Sequence, residues 1–133
     1  MKKTELMIIG SGPSGLTAAI YASRGGIETT ILSGDYPGGQ PTITDLVENF
    51  PGFPEGIQGP KLMARVKKQA KKFGAEIKMD KAKSVTKENG KFLIKTRSED
   101  YQAKAVIIAT GASPRWLSVD GVEKFKGKGI SVC

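Results

Sequence analysis

The sequence has one cysteine and no long hydrophobic run, and both shortages limit what the protein can be. Cys133 is the only cysteine among the 133 residues, so no disulfide can form within the chain, as is usual in a reducing compartment. The apolar run at residues 6–9 is too short for the core of a secretory signal. The run at residues 105–109 is far too short to span a membrane. We therefore expect a cytoplasmic protein that binds no membrane.

Aromatic residues are also scarce where the positive charge is concentrated. The net charge is +8, from 21 Lys and Arg against 13 Asp and Glu, which could indicate nucleic-acid binding. Many of the lysines lie in residues 60–78, where apolar residues recur at helical spacing and lysines take the remaining positions. Because Phe73 is the only aromatic residue in this segment and none lies among the lysines at residues 61–72, the segment is typical of an amphipathic helix with a solvated lysine face. We predict no nucleic-acid partner.

The first third of the chain predicts the opening of an α/β domain. A length of 133 residues is typical of one domain. The pattern predicts a strand at residues 5–9, a turn at SGPSG, a helix over residues 16–23 that ends at Gly25-Gly26, and a strand at residues 27–33. This βαβ order implies a parallel sheet with its crossover helix on one face.

The rest of the chain predicts a long connection and several short strands. Residues 34–60 are rich in glycine and proline, and a connection of this length inside a compact domain is usually functional. Residues 105–110, AVIIAT, predict a continuous buried strand at the centre of a parallel sheet. One further strand and a small antiparallel meander are predicted at residues 76–79, 83–87, 91–96 and 101–104.

The strongest local motif is GSGPSG, in which three glycines form GxGxxG between the first strand and the first helix. Gly10 would permit the tight turn, Gly12 would let the backbone approach a pyrophosphate, and Gly15 would let the helix pack closely on the strand. The phosphates would sit at the helix amino terminus, where free N–H groups favour an anion. We predict a dinucleotide site here, with a purely structural glycine turn as the alternative.

The acidic residue that usually binds the ribose hydroxyls is missing from its usual place. That residue is expected roughly 20 positions after the glycine loop, at the end of the second strand. Ser33 and Gly34 stand there, and Asp35 follows. Ser33 could bind a ribose hydroxyl, and Asp35 could reach it from the loop. The departure weakens an interpretation as a simple NAD site.

Four stretches together carry a family resemblance. They are GSGPSGLTAAIYASR, GGQ, VENFPGFPEGIQGPKLM and IIATGASPRWL, and in this order and spacing the chain resembles the amino-terminal FAD segment of the low-molecular-weight thioredoxin reductases. The resemblance implies a Rossmann-like FAD/NAD(P)-binding three-layer fold, here incomplete. It assigns residues 1–117 to the FAD-binding domain and residues 118–133 to the crossover toward an NADPH domain.

The resemblance also implies a set of FAD-binding residues and no metal site. For Asn49 the alternative is a turn residue before Phe50-Pro51, and for Thr110-Gly111 it is a simple end to the buried strand. Val85 matches a backbone contact near the adenine. The implied residues are Gly10, Ser11, Gly12, Pro13, Ser14, Gly15, Ser33, Gly34, Asp35, Gly38, Gly39, Gln40, Asn49, Val85, Thr110 and Gly111.

Cys133 gains a role from the same resemblance. In thioredoxin reductases the segment similar to GKGISVC runs into a Cys-x-x-Cys pair, of which Cys133 would be the first member and the attacking sulfur. Disulfide exchange needs a second thiol to resolve the mixed disulfide. A lone, inert thiol is the alternative.

The family mechanism implies NADPH as reductant, FAD as carrier, thioredoxin as acceptor and a homodimer. Two alternatives remain: a related ferredoxin-NADP or peroxiredoxin reductase, or a non-catalytic dinucleotide-binding module. We also expect residues 1–133 by themselves to be inactive, to fold poorly and to hold FAD weakly. In such an isolated chain, apolar residues at 105–110 would be partly uncovered.

Overall fold

The computed structural model describes residues 1–131. It contains two main helices, α1 and α2, a short helix α3, and eight strands. In chain order the elements are β1 (Lys2–Ile9), α1 (Pro13–Arg24), β2 (Thr29–Leu32), a 3-10 turn (Gln40–Ile43), β3 (Leu46–Val47), β4 (Ile57–Gln58), α2 (Gly59–Lys72), β5 (Glu76–Lys78), β6 (Ser84–Glu88), β7 (Lys91–Lys95), β8 (Tyr101–Ile108) and α3 (Val122–Phe125).

The predicted βαβ opening and parallel sheet are confirmed. Six strands form one sheet in the order β5-β2-β1-β8-β7-β6, and β1 pairs in parallel with both β2 and β8. Helix α1 crosses from β1 to β2 and ends at Gly25, as predicted. Residues 34–60 hold only the 3-10 turn and the two-residue strands β3 and β4 before α2 begins at Gly59.

One boundary prediction is wrong, because residues 101–104 and 105–110 do not form separate strands. Residues 101–108 form the single strand β8, whose start pairs with β7 in antiparallel fashion while its whole length follows β1 in parallel, and residues 109 and 110 follow its end. Lys104 lies within this strand and forms an ion pair with Glu5 of β1 at 2.6 Å. A strand can therefore carry a lysine at this position because its neighbour supplies the carboxylate.

The domain has three layers, as the family resemblance implies. On one face of the parallel strands, Ile8 and Ile31 pack with Leu16 of α1 and Leu62 of α2. On the other face, Met7 and Leu32 share a core with Ile94 of β7 and Tyr101 of β8. The sheet is therefore bent, so that its antiparallel strands cover the face opposite the helices.

The expectation that residues 105–110 are buried is wrong, because each of them is exposed or half-buried. The exposed fraction is 37% for Ile107 and 72% for Ile108. The reason is that pairing with β7 stops at Ala103, so the second half of β8 has a neighbour on one side only. The same exposure agrees with the expectation that this apolar strand is partly uncovered in the chain alone.

The lysine-faced helix forms as predicted. In α2, Leu62, Met63 and Ala70 are buried against the core, while Lys68 and Lys72 are exposed. Across residues 1–131, no helix is long and apolar enough to cross a membrane. The same residues hold no group of three or more acidic, histidine or cysteine side chains placed to bind a metal ion.

Candidate functional site

Two glycines of the GxGxxG loop are required by backbone contacts. Gly10 has φ +112°, and a Cβ atom there would lie 2.7 Å from the carbonyl carbon of Ala109, at the end of β8. A Cβ atom at Gly15 would overlap the carbonyl oxygen of Gly10. Any other residue at Gly10 or Gly15 would force apart the end of β1, the end of β8 and the first turn of α1. Backbone atoms form the obstacle, and they cannot rotate away as a side chain can.

Gly12 has no such reason to be a glycine. Its φ is −69°, a value that any residue adopts. A Cβ atom there would meet nothing closer than the Cα atom of Gly39, at 4.0 Å. The space in front of Gly12 is therefore not needed by the protein's own atoms, and a side chain would fill it.

The amino terminus of α1 opens toward that space. Gly12 precedes the helix, Pro13 is its first residue, and neither a side-chain cap nor an acidic residue occupies the first turn. The first N–H groups of an α-helix have no partner within the helix, and they carry the positive end of the macrodipole. An anion brought to Gly12 would accept hydrogen bonds from these groups.

A groove of about 690 Å³ runs past this helix end. Three segments line it: residues 10–14, residues 33–43 and residues 109–116. They follow the carboxyl ends of β1, β2 and β8, where ligands bind in open α/β sheets. Ten of the residues implied by the family resemblance line the groove: Gly10, Ser11, Gly12, Pro13, Ser14, Ser33, Gly39, Gln40, Thr110 and Gly111.

The other six implied residues do not line the groove. Gly15 lies behind it in the helix, and Gly38 lines a separate apolar cavity of about 200 Å³ beside α2. Gly34 and Asp35 follow Ser33 on the outer side of the loop. Asn49 is exposed between β3 and β4, and Val85 lies in the edge strand β6 opposite Ile94. Cys133 lies outside the described residues.

Ser11 joins two walls of the groove. Its hydroxyl donates to the carbonyl oxygen of Ser33 at 3.3 Å and accepts from the N–H of Gly38 at 3.1 Å. The side chain is buried. Since one hydroxyl holds both ends of residues 33–38, the loop after β2 is fixed against the loop after β1.

The outer edges of the groove are apolar, which the sequence did not reveal. Tyr36 is 86% exposed and Ile43 is 80% exposed, and with Trp116 they line the opening. The ammonium of Lys126 lies 4.3 Å from the centre of the Trp116 ring. Exposed apolar side chains around a polar, glycine-rich floor suit a ligand with an anionic middle and flat aromatic ends.

Asp80 contacts the loop after β2 through its backbone, and its buried carboxylate accepts several hydrogen bonds from other segments. The carbonyl oxygen of Asp80 accepts from the N–H of Gly34 at 3.0 Å. Its carboxylate accepts from the hydroxyls of Ser98 and Thr96 and from the N–H of Lys81, at 2.7 Å, and of Arg97, at 3.1 Å. The Ser98 and Thr96 hydroxyls, followed by the backbone donors, hold the pKa of Asp80 far below its ordinary value.

We predict that Asp80→Asn lowers the free energy of unfolding at pH 7 by roughly 2–3 kcal/mol, because it removes acceptors from buried donors. The folded pKa is lowered, so the carboxylate stabilises the protein above the unfolded pKa of about 3.9, and this stabilisation is lost as the pH falls toward the folded value. Urea unfolding at several pH values should show that the difference in the free energy of unfolding between wild type and variant becomes smaller below about pH 4. A difference in the free energy of unfolding that stays constant down to pH 2.5 would contradict a stabilising role of the charged Asp80 side chain.

Comparison with known proteins agrees with the fold. The family model of pyridine nucleotide-disulphide oxidoreductases matches residues 4–133. Curated thioredoxin reductases of Rickettsia bellii and Vibrio cholerae are 45% and 44% identical over 98% and 100% of the chain. The chain spans about two fifths of the length of these relatives, 42% in each case.

Solved structures give the same result. The thioredoxin reductase of Streptococcus pyogenes superimposes with a TM-score of 0.88 at 37% identity, over 98% of this chain and 42% of that one. That of Giardia duodenalis also gives 0.88, at 38% identity, over 100% of this chain and 43% of that one. Because the family model covers nearly the whole sequence and these folds coincide, the chain belongs to the pyridine nucleotide-disulphide oxidoreductase family.

Proposed function

We propose that the groove binds FAD and that the chain is the FAD-binding part of an NADPH-dependent thioredoxin-disulfide reductase. The observation that carries the proposal is the open space at Gly12, directly before an uncapped helix end. A pyrophosphate placed there would accept from the first-turn N–H groups of α1. The Cβ atom of any other residue would occupy that place.

The rest of the groove fits the remainder of a flavin dinucleotide. Ser33, at the end of β2, faces the groove from the side where the adenosine ribose lies in dinucleotide folds. Thr110 and Gly111, at the end of β8, form the opposite wall. The Nε2 of Gln40 donates to the carbonyl oxygen of Ala112 at 3.3 Å and so joins the walls across the groove. Bound FAD would supply the two-electron transfer between a nicotinamide and a disulfide.

The remaining implied contacts are part of the same proposal. Gly34, Asp35 and Gly38 would support the loop after β2, and Gly39 would bring its backbone to the ligand. Asn49 and Val85 would reach the ligand from outside the lining segments. Residues 1–117 would form the FAD-binding part, and residues 118–133 would lead toward an NADPH-binding domain.

Cys133 is proposed as the sulfur that attacks a disulfide of thioredoxin or of a thioredoxin-like protein. The thiolate is the reactive form, and an unperturbed thiol with a pKa of about 8.5 is mostly protonated at neutral pH. A second thiol would release the product by breaking the mixed disulfide. The proposal includes a cytoplasmic homodimer, by similarity to the same class of enzyme.

The test of FAD binding is Gly12→Val. We expect the variant to lose FAD affinity by roughly 100-fold or more, because the side chain would occupy the space of the pyrophosphate and keep its oxygens from the helix end. The measurement is titration with FAD of a flavin-free reductase that contains this chain, followed by quenching of flavin fluorescence. Thermal unfolding of the variant without FAD should stay cooperative and lose no more than about 1 kcal/mol of stability, because a Cβ atom at Gly12 meets no protein atom closer than 4.0 Å and only the N-cap preference for glycine is lost.

Gly12→Ala is the graded control, and it should fall between wild type and Gly12→Val in FAD affinity. If Gly12→Val binds FAD as tightly as wild type, the pyrophosphate does not sit at this loop, and the assignment of the groove is wrong. If the variant instead unfolds, the space in front of Gly12 is needed by the fold and the argument from it fails.

A further inference from the structure

The apolar cavity of about 200 Å³ beside α2 is a second concave site behind the groove. Leu16 and Met63, which line its inner part, are buried, and Ile77 of β5 is half-buried. Pro60 and Ala64 also line it and are exposed, so the cavity can be reached from solvent. An apolar protein cavity of about 150 Å³ is enough to bind benzene. A molecule with one aromatic ring therefore fits here.

The two hydroxyl groups at this cavity already have partners within the protein. That of Ser11 donates to the carbonyl oxygen of Ser33 and accepts from the N–H of Gly38. That of Thr42 donates to the carbonyl oxygen of Gly39 at 2.7 Å. A buried water needs roughly two to four polar partners, whereas a cavity that offers none stays dry and takes up an apolar ligand. The lining therefore favours an apolar molecule over water.

Lys67 adds one positive charge to this apolar lining. It is the single charged residue among those that line the cavity, and it is half-buried, whereas the neighbouring Lys68 is exposed. Within residues 1–131, Lys67 forms no ion pair. A lysine packs its alkyl stem on apolar surface and keeps its ammonium at the edge, where the attraction for an anion is stronger than in bulk water. The cavity is therefore complementary to an apolar ring that carries one anionic group.

The cavity and the groove share a wall at residues 37–42. Ser11 and Thr42 line both. Gly38 lines the cavity, and Gly39 and Gln40, which follow it directly, line the groove. A molecule packed against this wall from the cavity side would hold it in the conformation that forms the groove.

We propose that the cavity is a binding site for a small aromatic carboxylate, with the ring between Leu16, Met63 and Ile77 and the carboxylate at the ammonium of Lys67. Occupation of the cavity holds residues 37–42 and so strengthens ligand binding in the groove; this coupling rests on the proposed function, since it concerns FAD. Two ligands that favour the same conformation raise each other's affinity by the same factor.

The experiment compares para-fluorobenzoate with its neutral counterpart, para-fluorobenzyl alcohol, by fluorine NMR titration of a flavin-free reductase that contains this chain. We expect wild type to bind the carboxylate about tenfold more tightly than the alcohol, because a charge-assisted hydrogen bond replaces a neutral one. Lys67→Met should remove this preference and leave the affinity for the alcohol nearly unchanged, since methionine keeps an apolar stem in place. Lys68→Met makes the same change in charge at a residue that does not line the cavity and should keep the wild-type preference.

Ala64→Phe tests the position of the ring. The larger apolar side chain would take the place of the ligand in the cavity, so the affinity for both probes should fall by about tenfold or more. In wild type, para-fluorobenzoate at saturation should tighten FAD binding by about fivefold. The same concentration should have no further effect on FAD binding in Ala64→Phe, because the probe no longer enters.

The outcomes distinguish the cavity from the function of the groove. If wild type does not bind FAD, the proposed function and the coupling fail, while the titrations of the flavin-free protein still decide whether the cavity is a binding site. If FAD binds but para-fluorobenzoate shows no saturable binding, or binds Lys67→Met or Ala64→Phe as tightly as wild type, the site is overturned and the FAD groove stands. Binding of para-fluorobenzoate that leaves the FAD affinity of wild type unchanged overturns the coupling.

Discussion

Gly15→Ala should cost the protein most or all of its folded state. The added methyl group would overlap the carbonyl oxygen of Gly10 and press on the Cβ atom of Ala109 at 3.4 Å. Overpacking typically costs about 1–3 kcal/mol where side chains can move. Here the main obstacle is backbone at the junction of β1, β8 and α1, so we expect more than about 3 kcal/mol, a large part of the stability of a small domain. Denaturant unfolding followed by circular dichroism measures it.

Gly12→Ala is the matched control, because it adds the same methyl group three residues earlier in the same loop. Its Cβ atom meets no protein atom closer than 4.0 Å, so the free energy of unfolding should change by less than about 1 kcal/mol. Equal stabilities for Gly15→Ala and wild type would show that α1 can move away from β1 at little cost. The distinction drawn between the glycines would then be wrong.

The glycine loop shows how far local sequence predicts structure. A strand, a GxGxxG turn and a helix follow each other within residues 2–24, so periodicity and turn residues are enough to place them. The motif assigns a different role to each glycine. The structure agrees for Gly10 and Gly15, since both meet backbone atoms, while Gly12 meets none.

Gly59 is required by a contact that the local sequence does not predict. It lies at the start of α2, within the stretch VENFPGFPEGIQGPKLM but with no role assigned to it, yet a Cβ atom there would overlap the carbonyl oxygen of Pro41 and lie 2.6 Å from that of Thr44. Its N–H also donates to Thr44 at 3.2 Å. The need for glycine arises from a segment more than 10 residues away, and a local pattern carries no information about such a contact.

Long-range contacts also explain the other differences from the sequence predictions. The predicted division between residues 104 and 105 is absent because β8 continues along β1, where Lys104 pairs with Glu5, a residue distant in sequence. Asp80 resembles an ordinary turn residue in the sequence. The role of its carboxylate in holding the turn at residues 96–98 becomes visible only when β5 and the meander are placed together.

The sequence predicted the site residues whose type is required by the backbone conformation or by a backbone contact. It did not predict the residues that only give the groove its shape. Ten of the implied residues line one groove. Tyr36, Ile43 and Trp116 were missed, since an exposed apolar side chain has no periodicity or motif to mark it. Asp35 was expected near the ribose, but its pairing with two cations depends on elements far along the chain.

Cys133→Ser, made in a reductase that contains this chain, should abolish turnover with thioredoxin. The proposed step forms a bond between the Cys133 sulfur and one sulfur of the partner's disulfide, breaks that disulfide, and leaves the other partner sulfur as a thiolate. Serine cannot form this bond. We therefore expect the rate of thioredoxin reduction, followed by NADPH consumption, to fall by at least about 1,000-fold.

The internal control is reduction of bound FAD by NADPH in a single turnover. This transfer needs no thiolate, so bleaching of the flavin absorbance should proceed at a rate close to that of wild type in Cys133→Ser. FAD content should also be unchanged, because the groove is formed by residues 10–14, 33–43 and 109–116. Loss of turnover together with loss of flavin reduction would point to a damaged flavin site instead. Wild-type turnover in the variant would show that Cys133 is not the attacking sulfur and would leave the FAD-binding groove as the part of the proposal still supported.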